Sequence, residues 1–418
     1  MTRIIFRLPT LLFVGLLANI FLIAAGNSGV GTPMGDLDFA YQPWANEVLH
    51  NGVLLGISSD WVYPYPALVP ILLAALASPG HLATAWLLAR MVIMLSVLFA
   101  MVAFKADEDQ TLSRRYLAAY AWIGFTLALG PVSISRIDTV SVILAVLGAL
   151  AMSTGARIGA ASFWTFAAWV KIWPVALFIA IATNKKSWFR VVAYGAAISA
   201  ALVVIAFLFG GNASIFSFVT GQGERGLQIE SPMATPWLWA AVFGATDAGI
   251  YYNHSILTFE VFGPATQQVA FWLGLVQAGA IAITLALSIL ANRAIDKVRS
   301  SISDIDAAAR RNDVIAWTAF TATLDLIVFN KVGSPQFISW LAVPIILGVL
   351  LGVQRWMTAS MLVLLLSVLT WLVYPVVYEG ILSSQPLPTA VLLVRNLVEI
   401  VALVYANYRL TALTGKKA

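Results

Sequence analysis

Residues Thr32–Pro70 read TPMGDLDFAYQPWANEVLHNGVLLGISSDWVYPYPALVP, and the rest of the chain is organised around them. This stretch follows the first long apolar segment and carries two acids, Asp36 and Asp38, just past the end of that segment. An amphipathic piece, Tyr41–Leu49, comes next, and the motif YPYP at residues 63–66 follows it. We interpret the stretch as a polar loop that is held by an apolar scaffold.

The composition identifies that scaffold. The chain has 418 residues, of which 61% are hydrophobic and 10% are charged, and its mean hydropathy is +0.89. Because a soluble domain carries about 25% charged residues, these values predict a polytopic membrane protein without a sizeable soluble domain. Residues Met1–Gly26 begin with basic residues and continue as an apolar run, but no cleavage site follows, which favours a retained first helix over a signal peptide.

The scarcity of some residue types excludes several classes of function. The chain has no cysteine, and its histidines, His50, His81 and His254, are far apart in sequence. Disulfides and thiol chemistry are therefore excluded, and a histidine-rich metal site is not expected. The sequence has no Walker A lysine loop, so no motif indicates an ATP-driven transporter. The net charge of +5 indicates basic cytoplasmic segments rather than nucleic-acid binding.

Apolar runs recur along the whole sequence. A helix needs about 20 residues to span the hydrocarbon core, and the shorter runs are interpreted as weaker spans or as helices inside the bundle. We expect an all-α polytopic integral membrane protein, with one transmembrane domain over residues 1–418, about eleven to thirteen spans and short amphipathic helices on its outer face. The apolar runs are Leu8–Ala25, Leu82–Phe104, Leu117–Ser133, Thr139–Met152, Ile158–Thr183, Val191–Gly210, Gln268–Ala291, Val314–Phe329, Phe337–Val353, Met357–Val376 and Pro388–Ala406.

Basic residues set the expected orientation, because cytoplasmic segments of membrane proteins are enriched in lysine and arginine. On this rule, the first large loop, residues 26–81, and the second, residues 211–267, both lie outside. The basic residues that we assign to the cytoplasm are Arg3, Arg7, Arg114, Arg115, Lys185, Lys186, Arg190, Arg293, Lys297, Arg299, Arg310, Arg311, Arg409, Lys416 and Lys417.

The same rule constrains two apolar segments. If Lys105–Arg115 is cytoplasmic, then Pro64–Ser78 must dip into the membrane and return, or lie along its surface. The run Ile158–Thr183 must then form two short helices that break near Lys171 and Pro174, since proline removes an amide donor and disfavours helix at the residue before it. The alternative is a single long helix with Lys171 inside it.

Asp36 and Asp38 are the first candidates for chemistry. A carboxylate can act as a general base that takes a proton from an attacking hydroxyl group. An acid at the end of a helix can also simply be solvated. The position of the pair, between an apolar segment and an amphipathic stretch with a YPYP motif behind it, favours the catalytic interpretation.

Charged residues inside apolar segments form a second group of candidates. Lys171 and Lys331 each lie between apolar residues and a proline, and Arg136 and Asp138 occur in the run SRID. A charge at membrane depth costs about 2.5–3.5 kcal/mol on insertion scales and indicates a function by default. Three cations on one face would bind a phosphate well. The alternatives are that the lysines extend to the membrane interface and that Arg136 pairs with Asp138.

The second loop supplies a third group, in the run GERGLQIESP at residues 223–232. Charged residues in a loop are often only solvated, but the density of polar side chains here suits a hydroxyl-rich ligand. If that ligand is a sugar donor carried by a nucleotide, a soluble nucleotide-binding domain is usually required, and this composition does not provide one. A sugar donor carried by a lipid would instead reach the loops from within the bilayer.

Five motifs together resemble a known superfamily. They are GDLD at 35–38 with Tyr41, VYPYP at 62–66, AWVKIWP at 168–174, RGLQIES at 225–231 and KVGSPQF at 331–337. In this order they resemble the GT-C superfamily of polyprenyl-phosphate-sugar glycosyltransferases. More narrowly, they resemble the actinobacterial α-mannosyltransferases that use polyprenyl-phosphate-mannose to build phosphatidylinositol mannosides and lipomannan.

The resemblance implies a role for each candidate residue. It implies a GT-C-like bundle in the cell membrane, an active site on its outer face, a polyprenyl-phosphate-sugar donor, a glycolipid or polysaccharide acceptor and no metal or other cofactor. Asp36 would be the catalytic base, with Asp38 as the second candidate. Arg136, Lys171 and Lys331 would bind the donor phosphate. The remaining substrate-binding candidates are Tyr41, Tyr63, Asp138, Arg225, Gln228, Glu230, Ser231 and Gln336.

Three other functions stay open. A related branch of the superfamily transfers arabinofuranose instead of mannose. A lipid or sugar transporter or flippase would also carry charges at depth and broken helices, but we find no internal repeat of the kind that transporters often have. A non-catalytic scaffold would not depend on the two acids of the first loop.

Overall fold

The computed structural model describes residues 7–28, 31–103, 109–183, 188–221, 225–254 and 256–415. Most of them are helical, and two antiparallel strands, β1 (Gly249–Asn253) and β2 (Thr258–Phe262), form a hairpin in the second loop. Several residues on which the sequence predictions rely lie outside the described ranges: Arg3, Lys105, Lys185, Lys186, Gly223, Glu224, Lys416 and Lys417.

The α-helices of the described residues are α1 (Leu8–Gly26), α2 (Gln42–Asn51), α3 (Leu68–Ala77), α4 (Leu82–Ala103), α5 (Asp109–Leu129), α6 (Val132–Ser135), α7 (Asp138–Ser153), α8 (Arg157–Val170), α9 (Val175–Ala182), α10 (Trp188–Leu208), α11 (Ser217–Thr220), α12 (Thr235–Val242), α13 (Thr266–Lys297), α14 (Asp304–Val328), α15 (Ala342–Leu351), α16 (Met357–Trp371), α17 (Tyr378–Leu382) and α18 (Pro386–Ala412). Short 3₁₀ turns cover Tyr65–Ala67, Ala213–Phe216, Pro232–Ala234, Arg299–Ser301 and Pro335–Leu341, and π turns cover Leu37–Tyr41 and Leu372–Val376.

Long apolar helices confirm that this is a helical membrane protein. Within the described ranges, six helical segments are long and apolar enough to cross a bilayer. Large hydrophobic side chains cover their outer surfaces, as expected where a helix faces lipid rather than water. The six segments are Leu8–Gly26, Leu82–Ala103, Phe189–Leu208, Thr266–Lys297, Met357–Val376 and Pro386–Ala412.

The predicted break in Ile158–Thr183 is confirmed. Helix α8 ends at Val170, Lys171 adopts an extended backbone with φ −154° and ψ 130°, and α9 begins after Pro174. The single long helix is therefore wrong. Proline explains the break, because its ring excludes the helical conformation at the residue before it and removes one amide donor.

The segment after the YPYP motif is also short. Helix α3 has ten residues, which corresponds to about 15 Å, or half of the hydrocarbon thickness. The chain then returns to the first loop, where the amide of Leu82 donates to Oε1 of Gln42 at 3.3 Å. These two observations agree with a segment that enters the apolar layer and turns back.

One apolar run is interrupted where the sequence predicted continuity. The run Met357–Val376 leaves α-helical geometry after Trp371, in the π turn Leu372–Val376, and Tyr374 within it is extended. Pro375 is the physical reason, since proline is poorly accommodated inside an α-helix. The break directs Tyr374 and Tyr378 towards the loops.

Three hydrophobic clusters position the site. The largest is the core of the bundle around α14, where Trp317 packs edge-on against Trp356 with a centroid distance of 4.5 Å. A second cluster supports the first loop and includes Tyr41, and a third supports the second loop and includes Leu227. A polar cavity lies between the two loop clusters.

Candidate functional site

The cavity has a volume of about 830 Å³, and five separate parts of the chain form its wall. Side chains come from the first loop, the link between α6 and α7, the second loop, the segment after α14, and the π turn after α16 together with the start of α17. The lining residues are Asp36, Ala40, Trp44, Asp60, Trp61, Val62, Tyr63, Arg136, Ser217, Thr220, Gly221, Arg225, Gln228, Glu230, Tyr252, Ile256, Leu257, Thr258, Phe259, Ser334, Pro335, Gln336, Tyr374 and Tyr378.

Asp36 and Arg136 form an ion pair on this wall. Asp36 precedes the π turn Leu37–Tyr41, and its side chain is 35% exposed, whereas that of Arg136 is 12% exposed. Arg136 lies in an extended link between α6 and α7, and Tyr374 is one of its neighbours. The suggestion that Arg136 pairs with Asp138 is wrong, because the extended link points Arg136 at the first loop, while Asp138 begins α7 and pairs with Lys171.

The two acids of the first loop occupy different environments. Asp36 lines the cavity, whereas Asp38 is exposed and is not part of its wall. The geometry of the π turn separates them, because residues two apart in a helical turn do not share a face. Of the two, Asp36 has the position that a group acting on a bound molecule requires.

Lys171 and Asp138 form a second, deeper ion pair. The Nζ of Lys171 lies 3.3 Å from Oδ2 of Asp138, and the indole of Trp340 donates to Oδ1 at 2.7 Å. The Nζ also lies 4.7 Å from the ring centre of Tyr63. Both charged groups are therefore satisfied within the protein, and neither forms part of the cavity wall.

The predicted cluster of three cations is consequently incomplete on the cavity wall. Arg136 lines the cavity, but Lys171 and Lys331 do not. Lys331 lies beside the second loop, where burial and the neighbouring charge of Arg225 lower its pKa. Arg225 does line the cavity, so the two cations on the wall are Arg136 and Arg225.

Tyr41 and Tyr63 have different positions. Tyr41 is fully buried, and its hydroxyl accepts a hydrogen bond from the amide of Ile137 at 2.7 Å. It thereby supports the link that carries Arg136, and it does not touch the cavity. Tyr63 lines the cavity, and burial raises its pKa above the ordinary value for tyrosine.

The second loop packs against the segment after α14 at very short range. The amide of Gln228 donates to the carbonyl of Lys331 at 2.9 Å, and the hydroxyl of Ser231 donates to the carbonyl of Asn330 at 2.8 Å. A side chain at Gly333 would overlap the backbone at Glu230 and Ser231. Glycine is therefore required where the motifs RGLQIES and KVGSPQF meet.

This contact fixes the remaining predicted residues. Gln228, Glu230 and Gln336 line the cavity. Ser231 is fully buried and serves to join the two segments. Ser334 donates to Oε1 of Gln228 at 3.3 Å and so limits the orientation of that side chain.

Glu230 is a buried acid on the cavity wall. Its Oε1 accepts a hydrogen bond from the hydroxyl of Tyr378 at 2.8 Å, and Arg395 of α18 donates to its backbone carbonyl at 2.9 Å. Burial raises the pKa of the Glu230 carboxyl. The proton-bound form is therefore favoured relative to an exposed glutamate.

Glu260 of β2 is a functional candidate that the sequence interpretation missed. Its carboxylate accepts hydrogen bonds from the amide of Gly226 at 2.8 Å, the hydroxyl of Tyr251 at 2.6 Å and the amide group of Asn253 at 3.1 Å. It thus joins the hairpin to the loop that carries Arg225. The alternation of apolar and polar residues in TFEVF could have indicated a strand with one inward acid.

The cavity wall also contains aromatic residues that we did not predict: Trp44, Trp61, Tyr374 and Tyr378. The rings of Trp44, Trp61 and Tyr63 meet edge to face, with centroid distances of 5.3–5.9 Å. The sequence signal for Tyr374 was its proline neighbour inside an apolar run, the same signal that identified the break near Lys171.

No metal centre is apparent in the described part of the chain, which has no group of three or more His, Asp or Glu side chains placed to bind one ion. The site instead offers one carboxylate that faces a guanidinium, a second arginine, a buried acid and several aromatic rings. Such a wall suits a ligand that carries both hydroxyl and phosphate groups. No protein-family model, curated protein or solved structure matches the chain.

Proposed function

We propose that the protein is a membrane glycosyltransferase that transfers a sugar, mannose in the first instance, from a polyprenyl-phosphate donor to a glycolipid or polysaccharide acceptor. The observation that carries the proposal is the Asp36 carboxylate on the cavity wall, placed against Arg136 and opposite a second loop that presents Arg225. A lipid donor suits this cavity, since its chain can stay among the apolar helices while its phosphate enters the polar space.

The Asp36–Arg136 pair suggests an order of events. A carboxylate that is bound to a guanidinium is a weak base, because the opposite charge stabilises its ionised form. A donor phosphate that binds Arg136 would compete for the same N–H donors and release Asp36. Donor binding would therefore activate the base, so that proton transfer waits until both substrates are present.

In the transfer step, Asp36 takes the proton of the acceptor hydroxyl, and the oxygen forms a bond to the anomeric carbon. The bond from that carbon to the phosphate oxygen breaks, and the lipid phosphate leaves with the electron pair. Arg136 and Arg225 would stabilise the charge that develops on the leaving group. Lys171 is not assigned to this role, because Asp138 already neutralises it.

The finer points of architecture belong to the same proposal. We infer a GT-C-like bundle in the cell membrane, with the cavity on its outer face and about eleven to thirteen spans once the broken and shorter helices are included. The cations of the wall could replace a metal ion at the phosphate, so we propose transfer that does not depend on a metal.

The experiment compares wild type with Asp36→Asn and Asp38→Asn, each purified into lipid and supplied with radiolabelled polyprenyl-phosphate-mannose and a membrane glycolipid mixture. We expect Asp36→Asn to lower the rate by about 10² to 10⁴, the usual contribution of a general base. Asp38→Asn is the matched control and should keep the wild-type rate within a factor of about three.

Thermal melting verifies that both variants fold. A wild-type rate in Asp36→Asn would contradict the assigned base. If wild type makes no product with mannose, the same assay uses polyprenyl-phosphate-arabinose. If neither donor yields product, a lipid-scrambling assay in vesicles then tests the flippase function, and inactivity in all three assays leaves the scaffold function.

A further inference from the structure

A polar seam joins α13 to the bundle. Helix α13 exposes most of its surface to the surroundings, but the buried face of its middle part carries Thr284, Ser288 and Asn292 at intervals of one helical turn. Gln277 and Asp296 extend the seam at its two ends. From Gln277 to Asp296 the seam is about 28 Å long at 1.5 Å per residue, which is close to the hydrocarbon thickness of a bilayer.

Hydrogen bonds to α14 and to the end of α9 satisfy most of this seam. The Oγ of Ser288 lies 2.8 Å from both Thr183 and Thr318, and Asn292 donates to Thr183 at 3.1 Å. Neutral hydroxyl and amide groups of this kind hold membrane helices together. Around Ser288 they attach α13 through neutral groups, and the charged contact of Arg311 with Asp296 is confined to the end of the seam.

Asp325 is different, because it places a carboxyl group at the inner side of the seam. It is 1% exposed, and its Oδ2 accepts a hydrogen bond from the hydroxyl of Thr284 at 2.7 Å. Within the described residues, no cationic side chain pairs with it. Attachment alone could use a threonine or asparagine, so a carboxyl at this depth requires a different explanation.

The charged groups on the elements packed against α14 are all committed elsewhere or far along the helices. On α18, Arg395 pairs with Glu399, and Arg409 lies over the ring of Trp317 at the far end. Lys331 lies near Arg225 and Glu260. Helices α9 and α15 and the turn Pro335–Leu341 carry no charged residue. The charges of α13 and of α14 itself cluster at the far end of the seam: Arg293, Asp296, Lys297, Asp304, Asp306, Arg310, Arg311 and Asp313.

A carboxylate in such surroundings has no means of compensating its charge. One hydroxyl donor cannot replace hydration, and an isolated buried charge is neutralised by proton uptake instead. We propose that Asp325 is a proton-binding site where α13 packs on α14, and that its burial and its single bond to Thr284 make it take up a proton at a higher pH than an exposed aspartate does. This inference is independent of sugar transfer.

The first test is infrared spectroscopy of the full chain in lipid as the pH is lowered from about 8 to about 5, with wild type compared with Asp325→Asn. We expect the C=O band of a protonated carboxylic acid in wild type and its loss in the variant. Asparagine keeps an oxygen acceptor for Thr284, so the variant should melt at nearly the wild-type temperature. Absence of that band in a folded wild type would overturn the proposal.

A second test uses the reaction of protonated acids with a hydrophobic carbodiimide. The carboxyl oxygen bonds to the central carbon of the reagent, the acid proton moves to a reagent nitrogen, and rearrangement to the N-acylurea retains the whole mass. Asp138 is an internal control, since it is equally buried but paired with Lys171. Peptide mass mapping should find the adduct on Asp325 and not on Asp138.

The reverse pattern, with Asp138 modified and Asp325 untouched, would refute the assignment. Equal modification of both acids would refute it as well, because the ion pair would then make no difference to reactivity. If the reagent modifies neither acid, the infrared band, which needs no access for a reagent, decides the question.

Discussion

Gly333 lies where two segments of the cavity wall meet, and an alanine there tests how that wall is built. A methyl group at position 333 would overlap the backbone at Glu230 and Ser231 rather than a flexible side chain. The two segments can accommodate it only by moving apart. Separation would strain the hydrogen bonds that join Gln228 to the Lys331 carbonyl and Ser231 to the Asn330 carbonyl, at 2.9 and 2.8 Å.

The expected magnitude follows from these contacts. Overpacking against a rigid neighbour costs about 1–3 kcal/mol, and each weakened hydrogen bond adds about 1 kcal/mol. We therefore expect Gly333→Ala to lower the local stability by about 3–5 kcal/mol. Since about 1.4 kcal/mol corresponds to a factor of ten, the open population of the second loop should rise by at least ~100-fold.

Hydrogen exchange of the full chain in lipid measures that opening, through peptides that cover residues 225–235 and 328–336. Gly274→Ala is the matched control, because the space around its added methyl group is empty within 4 Å and the position lies inside α13. Faster exchange in both peptides of Gly333→Ala, and in neither peptide of the control, is the predicted result. Unchanged exchange in Gly333→Ala would refute the proposed packing of the two loops.

Two further predictions concern charged groups near the cavity. The Glu260 carboxylate raises the pKa of Tyr251 from 10.0 to about 12, so their contact stabilises the hairpin fully below pH 10 and is lost as the pH rises through 12. The absorbance of the Tyr251 phenolate, obtained by subtracting the signal of Tyr251→Phe, measures this ionisation. We expect its midpoint to return towards pH 10 in Glu260→Gln, and an unchanged midpoint would contradict the contact. Lys171→Met leaves the buried Asp138 carboxylate without its partner and should lower the free energy of unfolding by about 3–5 kcal/mol, measured with denaturant. The double variant that also carries Asp138→Asn should regain most of that stability. If the losses of the two single variants add in the double variant, the two residues are not coupled.

The elements that the sequence predicted are those that local chemistry decides. The break near Lys171 follows from Pro174, and the amphipathic helix α2 follows from apolar residues that recur at helical intervals in the first loop. The different environments of Asp36 and Asp38 could not be predicted, because they depend on the π turn Leu37–Tyr41. A π turn has hydrogen bonds between residues five apart, whereas an α-helix has them between residues four apart, and this difference leaves no recognisable pattern in a sequence this short.

Contacts between distant segments were the other part that the sequence could not reveal. The join between the second loop and the segment after α14 brings together residues about a hundred positions apart, such as Ser231 and Asn330. Glu260 is a similar case, since its role depends on the hairpin placing it against the amide of Gly226. Each residue has an ordinary appearance in its own neighbourhood, and only the tertiary approach gives it a function.

Charges at membrane depth need a criterion that the sequence alone does not supply. From sequence, Lys171, Asp138 and Arg136 all indicate function, because each is costly to bury. The structure separates them by their partners: Lys171 and Asp138 neutralise each other away from the cavity, whereas Arg136 meets Asp36 on its wall. A buried pair contributes to specificity of folding, but a pair that faces a cavity can exchange one partner for a ligand. The position of a pair relative to the cavity therefore carries more information about function than the presence of its charges.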